Sequence, residues 1–85
     1  MKNLVQQIQE QLQNNNVYAN VYPTQYKNIV CVNIDGDWKH DHAYAEYLIE
    51  QMFDDCAIKT TVVNQDGSDW YEADHYVIVS KNEVA

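Results

Sequence analysis

The sequence predicts an α+β domain in the order αββαββ, with a four-stranded antiparallel sheet and both helices on one face. Its 85 residues allow one domain with a single small core. Apolar residues recur at helical spacing in two segments, and they alternate or run continuously in four others. Because the two halves repeat the same order of elements, the arrangement corresponds to a circularly permuted ferredoxin-like fold.

The first half supplies one helix and two strands. Apolar residues at helical spacing predict an amphipathic helix over residues 3 to 14, which three consecutive asparagines end: Leu4, Val5, Ile8 and Leu12. Residues 17 to 22 alternate as a half-buried strand does, and Pro23 closes it. Residues 27 to 34 hold a nearly continuous apolar run, which is typical of a central strand.

The second half repeats this order. A second amphipathic helix is predicted over residues 40 to 55 from five apolar positions at helical spacing: Ala45, Leu48, Ile49, Met52 and Phe53. Strands follow over residues 57 to 64 and 74 to 80, and residues 81 to 85 form a short frayed tail. We expect the more apolar second and fourth strands at the centre. The first strand, which ends at Pro23, and the third strand, which contains Lys59, should lie at the edges of the sheet.

The charge is concentrated in the stretch from Asp35 to Asp74. This stretch holds eleven of the thirteen acidic side chains against two lysines, out of a net charge of −8. It also contains both glycines and both tryptophans, in two loops of similar composition. These loops follow strands that should point the same way, so we expect them to meet at one end of the domain. The alternative is that Asp-Gly is ordinary turn chemistry and each tryptophan caps the core.

The composition excludes several classes of partner. The chain has no arginine, and its negative charge disfavours direct binding of nucleic acid or of anionic membranes, whereas it favours basic proteins. The N-terminal segment lacks the apolar run of a signal peptide, and no segment reaches the roughly 20 apolar residues that span a membrane. We therefore expect a cytoplasmic protein in which Cys31 and Cys56 are reduced, buried thiols.

Chemistry on bound cofactors or metals is not indicated. His40, Asp41 and His42, with Asp35, Asp37 and His75, are metal-ligand residue types. However, two histidines two residues apart at a loop-to-helix junction point to opposed faces. The segment from residue 64 to 69 lacks the ligand order of a calcium loop. Asp41 is better explained as an acid near a helix N-terminus, where its charge interacts favourably with the helix dipole. No catalytic motif is present, so we predict a protein that is not an enzyme and has no cofactor or metal.

The leading hypothesis is a small acidic inhibitor that occupies a basic, nucleic-acid-binding groove of another protein. Carboxylates along a helix and two loops can imitate phosphates, and aromatic side chains can anchor the contact. Phage inhibitors of host defence and immunity proteins of nuclease toxins have this size and charge, a likeness of composition only. The candidate partner-binding residues are Asp35, Asp37, Trp38, Asp41, Glu46, Glu50, Asp54, Asp66, Asp69, Trp70 and Glu72, of which Glu46, Glu50 and Asp54 form one acidic helix stripe.

The alternative hypothesis is a homo-oligomeric structural or assembly protein. Two helices on one side leave the other sheet face open, and that face should be rich in tyrosine and isoleucine. The candidate residues for a dimer or second interface are Tyr18, Tyr22, Ile29, Tyr76 and Ile78. RNA-binding domains stack bases on such a face, but they surround it with basic residues, which this chain lacks.

Overall fold

The computed structural model describes residues 2 to 36, 39 to 66 and 70 to 79. Its elements are α1 (Leu4–Asn14), β1 (Asn20–Pro23), β2 (Ile29–Gly36), α2 (Lys39–Met52), β3 (Cys56–Asp66) and β4 (Trp70–Val79). The order is αββαββ, so the predicted α+β class is confirmed. The predicted tail over residues 81 to 85 lies outside the described residues. No helix in the described ranges is long and apolar enough to cross a membrane.

The four strands form one antiparallel sheet in the order β1, β2, β4, β3. The expected placement is confirmed, since the two most apolar strands lie at the centre and the strands with Pro23 and Lys59 lie at the edges. Strands β2 and β3 both run antiparallel to β4, and they therefore point the same way. This shared direction determines which loops lie at the same end of the sheet.

Helix α1 has specific signals at both ends. The Asn3 side chain accepts a hydrogen bond from the Gln6 backbone N–H, and the Gln6 side chain accepts one from the Asn3 backbone N–H. At the other end Asn16 has a left-handed backbone with φ 61°. The Asn16 N–H donates to Gln13 and the Val17 N–H donates to Leu12, which is a Schellman motif with asparagine in the place of glycine.

The core lies between the two helices and one face of the sheet. Apolar side chains of α1 and α2 pack against inward-facing residues of β2 and β4, among them Ile8, Leu12, Ile49, Val32 and Val77, which are fully buried. Burying each such side chain stabilises the fold by about 1.5 to 3 kcal/mol. The opposite face of the sheet has no helix against it in the part of the chain that the structure describes.

Some element boundaries differ from the prediction. Strand β1 begins at Asn20 instead of residue 17, and α2 ends at Met52 instead of residue 55. The β3–β4 hairpin is longer than expected, because polar residues continue to pair: Asp66 lies opposite Trp70, and Gln65 lies opposite Tyr71. Backbone hydrogen bonds to a neighbouring strand impose this extension, and the pairing does not depend on apolar side chains.

Candidate functional site

The acidic segments converge at one end of the sheet. The last residue of β2, Gly36, pairs with Tyr71, and the last residue of β3, Asp66, pairs with Trp70. Asp35 lies opposite Glu72 in the adjacent pair. The two strand ends that lead into the acidic loops therefore flank the start of β4. The loop residues themselves, among them the candidates Asp37, Trp38 and Asp69, lie outside the described residues.

The candidate residues of α2 do not form one continuous stripe. Asp41 lies in the first turn of α2, at the acidic end of the sheet, whereas Glu50 lies about 14 Å further along the helix axis. Asp54 lies two residues beyond the last helical residue, Met52. Glu46, between them, is hydrogen-bonded to the sheet. The predicted stripe of Glu46, Glu50 and Asp54 is thus corrected to two exposed carboxylates near the far end of the helix and one structural carboxylate.

Glu46 joins helix α2 to the two strands at one side of the sheet. Its Oε1 atom accepts a hydrogen bond from the Thr60 hydroxyl at 2.8 Å and lies 2.9 Å from Nδ1 of His75. Nδ1 of His75 also lies 3.0 Å from the Thr60 Oγ1 atom. Thr60 donates its single hydrogen to Glu46, and the Glu46 carboxylate has none to give. The hydrogen bond from His75 to these two oxygens must therefore be donated by Nδ1–H of His75.

The hydrogen-bonded chain continues into the core. Nε2 of His75 lies 2.8 Å from Nδ1 of His42, and both rings are buried. In the neutral His75 ring that carries hydrogen on Nδ1, Nε2 is an acceptor, so His42 donates through its own Nδ1. The His42 ring also packs edge-on against Tyr71, with ring centroids 4.6 Å apart. We call Glu46, Thr60, His75 and His42 the buried polar cluster, of which the two histidines are buried, Glu46 is half-buried and Thr60 is exposed.

The sequence contained a signal for this cluster that the prediction missed. His75 occupies an inward position of β4, between the buried residues Ala73 and Val77. His42 lies three residues before the buried Ala45 and seven before Ile49, which is the spacing of one helix face. Both histidines therefore belong to the core pattern. Within the described ranges, no group of three or more His, Cys, Asp or Glu residues could hold a metal ion.

A second polar group lies on the open face near the acidic end. The Asn33 amide of β2 donates to the Glu72 carboxylate at 3.0 Å and to the Asp74 carboxylate at 2.8 Å. Both acids are half-buried residues of β4. A single amide group thus holds two carboxylates side by side on the sheet surface, next to the place where the acidic loops leave it.

The rest of the open face is apolar and aromatic. Strand register aligns Tyr22, Cys31, Tyr76 and Lys59 in one row across the sheet. The neighbouring row contains Ile29, Ile78 and Ala57. We call these two rows, with the row of Asn20, Asn33, Asp74 and Thr61, the open face.

Tyr18 is not part of the open face, contrary to the prediction. It precedes β1, is 85% exposed and lines a separate groove with Gln9 and Gln13 of α1. The alternating pattern from residue 17 to 22 therefore includes three residues that do not pair with β2. The strand is shorter because the chain is still leaving the end of α1, where Val17 packs into the core.

The two cysteines are free thiols, and both are partly buried instead of fully buried as expected. On the open face, burial and the neighbouring Asp74 carboxylate raise the pKa of the Cys31 thiol above its usual value of 9.0. The Cys31 and Asp74 charges in turn raise the pKa of the Tyr76 phenol. Both groups are uncharged at neutral pH.

Comparison with protein-family models, with curated proteins and with solved structures gives no match.

Proposed function

We propose that this protein is a small acidic inhibitor that binds a basic, nucleic-acid-binding groove of another protein. The observation that carries the proposal is the backbone pairing of Gly36 with Tyr71 and of Asp66 with Trp70. This pairing supports a shared binding surface for the two acidic loops, although they are separated by 30 residues in the chain. In this proposal the protein acts by binding and not by catalysis.

The charge distribution supports mimicry of a nucleic acid. Asp35, Asp66 and Glu72 belong to strand positions at the acidic end, and Asp41 belongs to the first turn of α2 beside them. Carboxylates at such positions can occupy the places of phosphates in a groove of lysines and arginines. Trp38 of the first loop and Trp70 at the start of β4 would supply the apolar anchor that salt does not screen.

The residues assigned to binding now divide into two groups. The end group comprises Asp35, Asp37, Trp38, Asp41, Asp66, Asp69, Trp70 and Glu72. Glu50 and Asp54 would extend the charged surface along α2, whereas Glu46 serves the buried polar cluster. A phage protein that blocks a host defence enzyme, or an immunity protein of a nuclease toxin, would act in this way in the cytoplasm.

The test compares two triple variants that remove the same charge from different places. The end variant carries Asp35→Asn, Asp66→Asn and Glu72→Gln, and the control variant carries Glu10→Gln, Asp55→Asn and Glu83→Gln, three acids that are not among the residues assigned to binding. Each is immobilised and exposed to host lysate, and bound proteins are eluted first with duplex DNA and then with salt. We expect a basic nucleic-acid-binding protein that duplex DNA releases from the wild type and the control variant, and that the end variant does not retain.

Two results would count against the proposal. If the end variant retains the same protein as the wild type, the acidic end does not form the contact. If duplex DNA fails to release the bound protein, the contact does not occupy a nucleic-acid-binding groove. Circular dichroism of both variants confirms that lost binding does not come from lost folding.

A further inference from the structure

The open face carries a groove that no part of the described chain fills. The groove has a volume of about 370 Å³, and its lining includes Tyr26, Ile29, Lys59, Tyr76 and Ile78. Tyr26 is 55% exposed and Ile78 is 36% exposed. The Thr24 hydroxyl accepts a hydrogen bond from the Tyr26 N–H and donates one to the Ile29 carbonyl, and these bonds hold the β1–β2 turn that forms one wall.

We propose that the open face is the interface of a homodimer, with a two-fold axis that runs roughly parallel to the strands between β2 and β4. Such an axis places β2 of one copy over β4 of the second copy, and β1 over β3. It leaves each row of the open face at the same height along the strands. Rows of the same kind therefore meet across the interface, as an isologous contact requires.

The strand register makes the face self-complementary under this axis. Ile29 lies over the second copy's Ile78, and Cys31 lies over the second copy's Tyr76, so apolar groups meet apolar groups. At the edges Tyr22 lies over the second copy's Lys59, where an ammonium can contact the ring face.

The polar row of the open face also lies over the polar row of the second copy in this arrangement. Asn33, whose two amide hydrogens bond Glu72 and Asp74 of its own copy, lies over the second copy's Asp74, so a polar group faces a polar group. An axis perpendicular to the strands would reverse the order of the rows. It would place the isoleucine row over Asn33 and Asp74 and would bury these polar groups against apolar side chains.

A second copy fits this face better than a nucleic acid does. Lys59 is the only cation among the residues of the three rows, and Asp74 stands on the same face. Cys31 and Tyr76, the two central residues of the middle row, are uncharged at neutral pH, and their raised pKa values keep them so at mildly alkaline pH. The two faces can therefore meet without burying like charges at their centre.

The size of the face sets the expected strength. Four strands about 4.8 Å apart and five residues about 3.4 Å apart give a face of about 19 by 17 Å. Two such faces amount to about 650 Å² in total, which is below the roughly 1,200 Å² of stable specific interfaces, so we expect only weak association. Each copy has a charge of −8, so added salt should strengthen the dimer by screening repulsion. This salt dependence is opposite to that of the proposed inhibitory contact.

The first experiment measures self-association by sedimentation equilibrium up to millimolar protein, at low and at high salt. Ile78→Lys adds a charge to the isoleucine row of the open face. Val62→Lys, which replaces a 50% exposed residue on the opposite side of β3, is the matched control. We expect dimers in the wild type and the control, and a rise of the dissociation constant by at least about tenfold in Ile78→Lys. A wild type that stays monomeric throughout would overturn the proposal.

The second experiment tests the orientation. In a Cys56→Ala background, Cys31 is the remaining thiol, and the two copies of Cys31 lie one strand spacing apart across sheets about 10 Å apart. A short bifunctional maleimide should then join two copies, in a reaction that is long enough for mass spectrometry to show that the slow Cys31 thiol has reacted. A dimer formed through the edge of β1 or β3 would separate these thiols by several strand spacings. The absence of a cross-link would therefore overturn the proposed axis. Neither experiment uses the partner of the acidic end, so the two proposals fail independently.

Discussion

Nδ1 of His42 lies 2.8 Å from Nε2 of His75, inside the core between helix α2 and strand β4. Glu46 and Thr60 extend this contact to the surface of the helix and to β3. Buried polar groups of this kind are stable only when each hydrogen has an acceptor. The buried polar cluster therefore constrains how α2 sits on the sheet, and with it the position of the acidic end at which α2 begins.

Removal of the Glu46 carboxylate should destabilise the fold. In Glu46→Ala the His75 Nδ1–H and the Thr60 hydroxyl both lose an acceptor, and we expect a loss of about 1 to 3 kcal/mol in the free energy of unfolding. Urea denaturation followed by circular dichroism measures the change. Glu50→Ala, one turn further along α2 and exposed, should change stability by less than about 0.5 kcal/mol. Equal effects of the two substitutions would contradict a structural role for Glu46.

The tautomers of the two buried histidines should be fixed. The hydrogen-bond pattern requires a hydrogen on Nδ1 of His75 and on Nδ1 of His42 in the neutral cluster. Two-bond ¹⁵N–¹H correlation spectra at neutral pH distinguish this tautomer from the Nε2 form that predominates in free histidine. A spectrum with both rings protonated on Nε2 would show that the cluster is arranged differently. A denatured sample, in which both histidine rings are exposed to water, provides the reference spectrum.

The C-terminus of α1 offers a test of local backbone conformation. Asn16 has φ 61°, a region that glycine enters without steric cost. We expect Asn16→Gly to stabilise the protein by a few tenths of a kcal/mol up to about 1 kcal/mol, and Asn16→Val to destabilise it by about 1 to 2 kcal/mol. Thermal denaturation compares the two variants. The same sign of change for both would mean that the Schellman motif does not form.

The thiol of Cys31 should react slowly at neutral and mildly alkaline pH. Its pKa is raised above 9.0 by burial and by the Asp74 carboxylate, so the reactive thiolate is scarce in the folded state. A raised pKa stabilises the fold below pH 9.0, and this contribution is lost as pH increases through the folded-state value. The alkylation rate with iodoacetamide in the Cys56→Ala background should still be increasing at pH 9.0 and should level off only at higher pH. Asp74→Asn should shift that increase to lower pH, and an unchanged profile would contradict the assigned cause.

Much of the fold could be predicted because local patterns and topology agree. Leu4, Ile8 and Leu12 predict α1 by spacing alone, and the same three residues are buried. The apolar runs in β2 and β4 predict central strands, and sheet order confirms them. The boundaries were less predictable. Strand β3 continues to Asp66 through polar residues, since its pairing with β4 depends on backbone groups that composition does not reveal.

The candidate site was predicted only in part. The convergence of the strand ends after β2 and β3 followed from strand direction and is confirmed. The helix stripe was wrong at Glu46, because four-residue spacing places a side chain on a helix face without showing what that face contacts. His75 and His42 were considered as metal ligands, whereas the structure joins them to each other in the core.

By itself the sequence determined the α+β class, the order of the elements and the concentration of charge, since these depend on the spacing of apolar and acidic residues along one chain. Only the tertiary structure decided that Glu46 belongs to the buried polar cluster and that Tyr22, Cys31, Tyr76 and Lys59 form one row. The physical reason is that hydrogen bonds and strand register join residues from distant segments. Their partners depend on how the helices and strands pack against one another.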